Sequence, residues 1–341
     1  PAPTASPTTA YPTAYPTTLP TRSPTPVPTA FPTATSTTPY PTAFPTAFPT
    51  PYPINEVQPI DCAGTGGLPI QVLSTDGGDT YQAKTLDVLT GAYTVLFDVP
   101  VPQTDTNLNS VGINPLDNRA YGTILSPGNY LVRFDGTTFH YIAKLQPGCC
   151  ASSYTYYAAA FDEAGNYYLL MDRGNPKKYY RFTNLHTMAG HASAGGAPDW
   201  SAVAPFVTAD KNVGLDFVVL ESSTFEPDKG KQLYAMGMFY KNVQVLNLET
   251  GTGWAVTPVP ADAITTNSWG SAWLYGGQPY FSDNSGALGV YRVELSTVDL
   301  VAQTAQVTQV VTQSTPTSKN DGMNCMSSPR SEEHTSELQS R

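Results

Sequence analysis

Charge is scarce in this chain. Asp, Glu, Lys and Arg supply only 13% of its 341 residues, low for a cytosolic protein. Bases are the scarcer sign, 17 against 27 acids, for a net charge of −10 and a pI near 4.7. With no basic run, nucleic acid is excluded as an expected partner. No run of 18 apolar residues occurs, so no membrane span is expected. Several catalytic signatures are missing: no G-x-S-x-G elbow, no phosphate loop and no dinucleotide fingerprint. There is no C-x-x-C or Cys/His spacing for zinc. No Asn-x-Ser/Thr sequon occurs either, so N-glycosylation is not expected.

Half of the 32 prolines lie in residues 1–53, with 16 threonines, no glycine and one charge, Arg22. They recur every fourth residue at Pro12, Pro16, Pro20, Pro24, Pro28 and Pro32, and again at Pro41, Pro45, Pro49 and Pro53. The cleanest unit is Pro-Thr-Ala-aromatic. So short a repeat cannot bury a core. Proline fixes φ, donates no hydrogen bond and pushes its predecessor toward extended geometry. A polyproline-II rod of roughly 160 Å is expected, at about 3.1 Å per residue. Such a rod turns every three residues, so a period of four carries successive motifs around all sides.

Dense threonines beside prolines have the composition of O-glycosylated stalks. The candidates are Thr4, Thr8, Thr13, Thr17, Thr21, Thr25, Thr29, Thr33, Thr42, Thr46 and Thr50. Candidate hydroxyprolines are Pro12, Pro16, Pro20, Pro24, Pro28, Pro32, Pro41, Pro45 and Pro49. Exposed aromatics on a rod are unfavourable unless they stack on sugar or dock on a neighbour. Phe31, Phe44, Phe48 and Tyr52 are therefore the expected assembly contacts. The competing reading is a plain linker.

Residues 54–315 read as one all-β body. Short alternating strands are separated by Gly, Asn and Asp turns. Tyr121, Tyr167, Tyr234 and Tyr280 each follow such a turn, 46, 67 and 46 residues apart. A second strand follows each after about a dozen residues, as in Tyr130-Leu131-Val132-Arg133-Phe134. A period near 46 with about four strands marks a β-propeller blade. Four units are visible, and residues 68–73 and 80–97 supply part of a fifth. Its missing strand is expected at residues 307–311, which would join the two ends and remove the sheet edges. Residues 186–205 are a long loop or the remains of a blade. Five to seven blades are expected.

The run Asn114-Pro115-Leu116-Asp117-Asn118, followed by Tyr121 and Leu131-Val132-Arg133-Phe134-Asp135-Gly136, resembles a propeller-like domain of unknown function from secreted and surface repeat proteins. That likeness carries no catalytic residues with it. The arm resembles the Pro/Thr tetrapeptide repeats of extracellular glycoprotein fibrils and of flagellar or cell-wall hairs. Residues 330–341, RSEEHTSELQSR, resemble an in-frame translation of a sequencing-library adapter. Glu332, Glu333, His334 and Glu337 are therefore set aside, and the natural chain is expected to run on past residue 329. Residues 316–329 form a C-terminal segment carrying Cys325.

The four cysteines, Cys62, Cys149, Cys150 and Cys325, allow three pairings. The preferred one ties Cys62 and Cys325 to the vicinal pair. The alternatives are a direct Cys62–Cys325 bond with a vicinal bond, or free thiols. No cofactor is expected. Calcium has candidate oxygen ligands at Asp76 and Asp79 and at Asp105, Asn107 and Asn109, although such runs are more often turns. Asp172, Asp216 and Glu221 lie near strand ends, where a propeller's centre gathers carboxylates. His140 reads as a strand residue, and His186 and His191 lack metalloprotease spacing. Trp200, Trp254, Trp269 and Trp273 serve a carbohydrate site or the core.

The expected function is not enzymatic. It is that of a structural subunit of an extracellular fibril or surface appendage, whose partners are further copies of the chain and covalently attached glycans. A secreted carbohydrate-binding propeller on a mucin-like stalk, and a calcium-dependent propeller hydrolase, are the alternatives.

Overall fold

A computed structural model divides the chain into Pro1–Thr50 and Pro51–Arg341. It describes residues 56–326 apart from 76–79, 103–106, 126–127, 146–155, 172–176, 201–205, 210–215, 267, 285–288 and 314–319. The expectations for the arm and for residues 330–341 lie outside the described residues.

The body is a five-bladed β-propeller. The chain starts inside blade one, with β1 (Ile70–Ser74), β2 (Tyr81–Leu86) and β3 (Tyr93–Val99). Blade two is β4 (Asn109–Ile113), β5 (Ala120–Ile124), β6 (Tyr130–Phe134) and β7 (Phe139–Leu145). Blade three contains β8 (Tyr156–Phe161), β9 (Tyr167–Met171) and β10 (Lys177–Phe182). An insertion with the two-residue strand β11 (Asp199–Trp200) then precedes its outer strand, β12 (Val207–Ala209). Blade four is β13 (Phe217–Ser222), β14 (Gln232–Phe239), β15 (Asn242–Asn247) and β16 (Gly253–Val259). Blade five is β17 (Trp269–Tyr275), β18 (Gln278–Asp283), β19 (Val290–Val293) and β20 (Thr304–Val311). The last strand, β21 (Asn320–Met323), returns to blade one and pairs antiparallel with β1, Ile70 opposite Met323.

This closure corrects two sequence expectations. Residues 307–311 lie in β20, the outer strand of blade five, where Val307 faces Val293 of β19. The strand that completes blade one is instead Asn320–Met323, which the sequence reading places in the C-terminal segment. Of the two readings of residues 186–205, the described part, 186–200, is the loop: it folds back along the outer edge of blade two, where β11 runs parallel to β7 and His191 bridges Tyr141.

The repeat seen in the sequence is the second strand of blades two to five. Tyr121, Tyr167 and Tyr234 are wholly buried and Tyr280 nearly so. The turns repeat as well. Asp87, Asp135, Asn247 and Asp299 each accept two backbone N–H bonds from residues just ahead, such as Val301 and Ala302 on Asp299 Oδ1 at 2.8 Å each. An Asx side chain that satisfies its own turn makes the hairpin locally specified.

A strap of residues 56–68 precedes the first blade. It is held by Ile60 N–H on the Asn118 carbonyl at 2.7 Å and by Arg119 Nε on the Val57 carbonyl at 2.7 Å. Cys62 in the strap is bonded directly to Cys325, just beyond β21. The direct bond overturns the preferred pairing of both residues with Cys149 and Cys150, which lie outside the described residues. It closes a loop across a sequence separation of 263 residues. Closing so long a loop is worth about 5 kcal/mol in the chain-entropy account. Replacing both Cys62 and Cys325 with serine should therefore lower unfolding free energy by about 2–5 kcal/mol. Urea denaturation with and without reductant measures this, and the double variant should lose its sensitivity to reductant.

Candidate functional site

The five inner strands, β21, β4, β8, β13 and β17, stand side by side around the propeller axis. Their walls are small and apolar: Val111 and Gly112, Ala159 and Phe161, Val218, Ala272, Gly322 and Met323 all line the axial space. A Cβ on Gly112 would meet the Phe161 ring at 2.9 Å, and one on Gly322 would strike the Ala272 backbone. Glycine is needed at both positions because neighbouring blades touch there. The remaining axial cavity is about 20 Å³, room for roughly one water.

At the end where the inner strands begin, the lining changes character. Asp216 immediately precedes β13, and Asp321 is the second residue of β21; both are buried. The Asp321 carboxylate accepts N–H bonds from Val111 at 2.8 Å, from Gly322 at 2.8 Å and from Ser110. Burial nevertheless pushes Asp321 well above the carboxylate range, and the charge of Asp216 raises it further. Burial lifts Asp216 to about 8. Two buried carboxyls that feel each other do not both ionise cheaply. Asp321 holds the N–H donors that suit the charged form, so Asp216 is the natural seat of the proton.

Several polar atoms on or beside the inner strands are buried without partners. Ser110 is fully buried, and its Oγ has no hydrogen-bond partner. Its backbone has a left-handed φ of 57° and its carbonyl accepts the Tyr167 hydroxyl. Asn284 is oriented by its Nδ2, which donates to the Trp269 carbonyl at 2.7 Å, leaving Oδ1 buried and unpaired. Both side-chain atoms of Asn320 are also buried and unpaired. Asn284 Oδ1 and Asn320 Oδ1 converge on the place a Cβ would take at Gly270.

Among the sequence candidates, Asp216 is therefore at the axis. Glu221 is not: it sits near the other end of β13, exposed, 3.9 Å from Lys231 Nζ. Asp172, Asp76, Asp79 and Asp105 lie outside the described residues. Asn109 spends its Oδ1 on the Ser110 N–H at 2.8 Å. Trp269 and Trp273 are buried core residues, and Trp269 Nε1 donates to the Tyr240 carbonyl at 2.8 Å. Trp200 packs edge-on against Phe182 and Trp254 packs on the core of blades four and five. The expectation of a tryptophan-lined sugar site is corrected for the buried pair, whose indoles fill the core. His140 is buried against Gly190 of the insertion; burial and then the nearby Arg133 charge hold its pKa low. Among the described residues no group of three His, Cys, Asp or Glu gathers to hold a metal, and no helix is long and apolar enough to cross a membrane.

The profile of a repeat family of unknown function, DUF6923, matches residues 75–327. The chain belongs to that family. No curated protein sequence matches it. Solved structures share its architecture loosely. An aldose sugar dehydrogenase from Streptomyces coelicolor in its PQQ-bound form is 14% identical with a TM-score of 0.37, over 69% of this chain and 80% of that one. A DUF4784 family protein from Bacteroides caccae is 10% identical with a TM-score of 0.34, over 71% and 59%. PorZ, a surface component of the type-IX secretion system of Porphyromonas gingivalis, is 15% identical with a TM-score of 0.33, over 64% and 29%. The chain thus spans less than two thirds of the last two. At these scores the likenesses say nothing of activity.

The carboxyl pair sets a pH dependence. Unfolded aspartates titrate near 3.9, whereas Asp216 holds its proton to about 8 when folded. Between those values the folded state binds the extra proton, so stability falls as pH rises through this window. Opposed to this, Asp135 and Glu226 are held below their ordinary values: burial raises each, but hydrogen bonds from Gln58 and Thr137, and from Lys229 and Asn247, outweigh it. Their contributions are lost as pH falls below the carboxylate range. Melting temperature should accordingly peak between pH 4 and 6, and D216N should flatten the decline toward pH 8.

Proposed function

We propose that the chain is a structural subunit of an extracellular fibril or surface appendage, in which the propeller body docks on further copies and the Pro/Thr arm forms a glycan-coated rod. The observation that carries this reading is the outer strand of blade one. Outer edges elsewhere are covered: β11 lies along β7, and β16 pairs in parallel with β20. The edge of blade three is the three-residue β12. The seven-residue β3 ends its sheet without a neighbour among the described strands. It carries Val95 and Leu96 exposed, next to Leu89 at 64% exposure.

A largely apolar edge without proline or lysine, and without cover among the described strands, is a template for strand pairing. A second copy offers the same edge, so this contact joins bodies laterally in isologous pairs, and continuation along a fibre falls to the arm. The filled axis supports the same reading. Small-molecule pockets run to about 300–1,000 Å³, far above the 20 Å³ between these inner strands. A disulfide that ties both ends of the body suits an oxidising compartment, which supports an extracellular location.

Two variants test the reading by electron microscopy and sedimentation of the purified, glycosylated chain. Deleting residues 1–53 should abolish fibres while the body stays folded. Val95→Lys with Leu96→Lys should reduce lateral association at least tenfold with little change in melting temperature. Fibres of normal length from both variants would overturn the assembly reading.

A further inference from the structure

The insertion that leaves blade three to lie on blade two is seated over one buried histidine. We propose that residues 184–200 form an acid-released latch with His140 as its sensor: protonation of the imidazole frees the segment from the outer edge of β7. This inference is independent of the assembly reading.

Few bonds hold the latch. His191 and Tyr141 exchange both backbone N–H bonds, at 2.8 and 2.9 Å, and the Lys144 N–H donates to the Pro198 carbonyl at 2.9 Å. The short strand β11 adds Asp199 opposite Lys144 and Trp200 opposite Leu145. Leu185 is wholly buried, and Trp200 packs edge-on against Phe182. Between these anchors, residues 189–197 read Ala-Gly-His-Ala-Ser-Ala-Gly-Gly-Ala and offer little apolar surface. A segment of this kind opens locally at a small part of the global unfolding free energy, and its opening leaves the edge of β7 unpaired.

His140 lies under the tightest contact. Tyr121, Arg133 and His140 are register partners across β5, β6 and β7, so their side chains share one face of the sheet. His140 is 4% exposed and Arg133 6%. Gly190 closes over the ring: a Cβ there would collide with Nδ1, which is buried and without a hydrogen-bond partner among the described residues. A neutral ring fits this place. An imidazolium carries an N–H on both nitrogens, and here it would stand opposite a buried guanidinium with nothing to receive the Nδ1 proton.

The other groups that face the ring do not relieve that charge. Tyr121 is kept neutral by burial and accepts Arg133 Nη1 at 3.3 Å. Asp135, in the turn after β6, is occupied by N–H bonds from Gln58, Thr137 and Thr138 and by the Thr137 hydroxyl. Glu56 of the strap is paired with Arg119 at 3.3 Å. His191, on the latch itself, opposes a second positive charge. Burial first, and Arg133 next, hold the His140 pKa below its ordinary value, whereas a ring released into water titrates near 6.5. The open state therefore binds the extra proton, and the latched state loses stability as pH falls below about 6.5. Asp216 has the opposite sign and stabilises the body as pH falls, so local opening and global stability part company in the same window.

Hydrogen exchange of the full-length protein, read by mass spectrometry at pH 7 and pH 5 and corrected for intrinsic rates, tests the proposal. Residues 186–198, with Tyr141 and Lys144, should lose protection about tenfold at pH 5, while β14 and β15 keep theirs. H140Q, which cannot take up the charge, should protect the latch equally at both pH values. G190A gives a second reading should H140Q fail to fold. Its Cβ strikes the ring, so the latch should be open already at pH 7, and H140A in the same chain should close it again at both pH values. Unchanged protection of the wild type between pH 7 and pH 5, an equal loss in H140Q, or wild-type protection in G190A would overturn the proposal.

Discussion

Everything in this body depends on one strand pairing, β21 against β1. A propeller blade cannot stand alone, because its two faces are apolar and its neighbours supply the cover. Five blades bury those faces only if the ring closes, and an open ring exposes two inner strands and two blade faces at once. Here four backbone register pairs of β21 with β1 close it. Met323 and Cys325 then join Ile70, Val72 and Tyr81 in the core between blades one and two. The pairing is short, and the Cys62–Cys325 bond fixes the strap and the closing strand to each other. The bond removes most of the freedom that the two ends would gain on opening, which is where a closed ring is most vulnerable.

The closeness of the inner strands determines what the axis can and cannot do. Gly112 and Gly322 bring neighbouring strands together, and the centre fills with Ala, Val, Phe and Met side chains. That packing takes away the axial pocket in which larger propellers hold small molecules. Polar side chains gather instead where the inner strands begin, with Asp216 just before β13, Ser110 in β4 and Asp321 in β21.

The sequence made the blade repeat legible for physical reasons that act locally. The buried tyrosine near the start of the second strand in blades two to five, and the Asx side chain in four of the outer turns, recur because each blade meets similar neighbours. The closing strand was not legible in the same way. Asn320-Asp321-Gly322-Met323 has no apolar alternation, no β-branched residue and a glycine at its centre. It is a strand because its partners on both sides demand one, whereas residues 307–311 look like a strand and serve blade five. Asp216 was legible as a carboxylate at a strand end. Asp321 was not, because its role needs the ring closure that brings it to Val111, 210 positions away. The direct disulfide stood only as an alternative for the same reason: spacing does not reveal that the strap and the closing strand meet. Trp269 and Trp273 were open between core and ligand until the packing placed them inside.

Closure and chemistry are linked through β21 itself. Asn320 and Asp321 join the start of the inner strands only when β21 is paired, so the polar cluster exists only in the closed ring. A proton that neutralises the buried carboxyls binds the closed state and not the open one, and so adds its binding free energy to ring closure. Conversely, the burial that lifts the carboxyls is created by the same closure, so part of the free energy of closing is spent on desolvating Asp216 and Asp321. Three backbone N–H bonds on Asp321 offset some of that cost, while Asp216 retains its own. The closing strand is thus both the last edge of the ring to be covered and the one that carries a buried carboxyl into it.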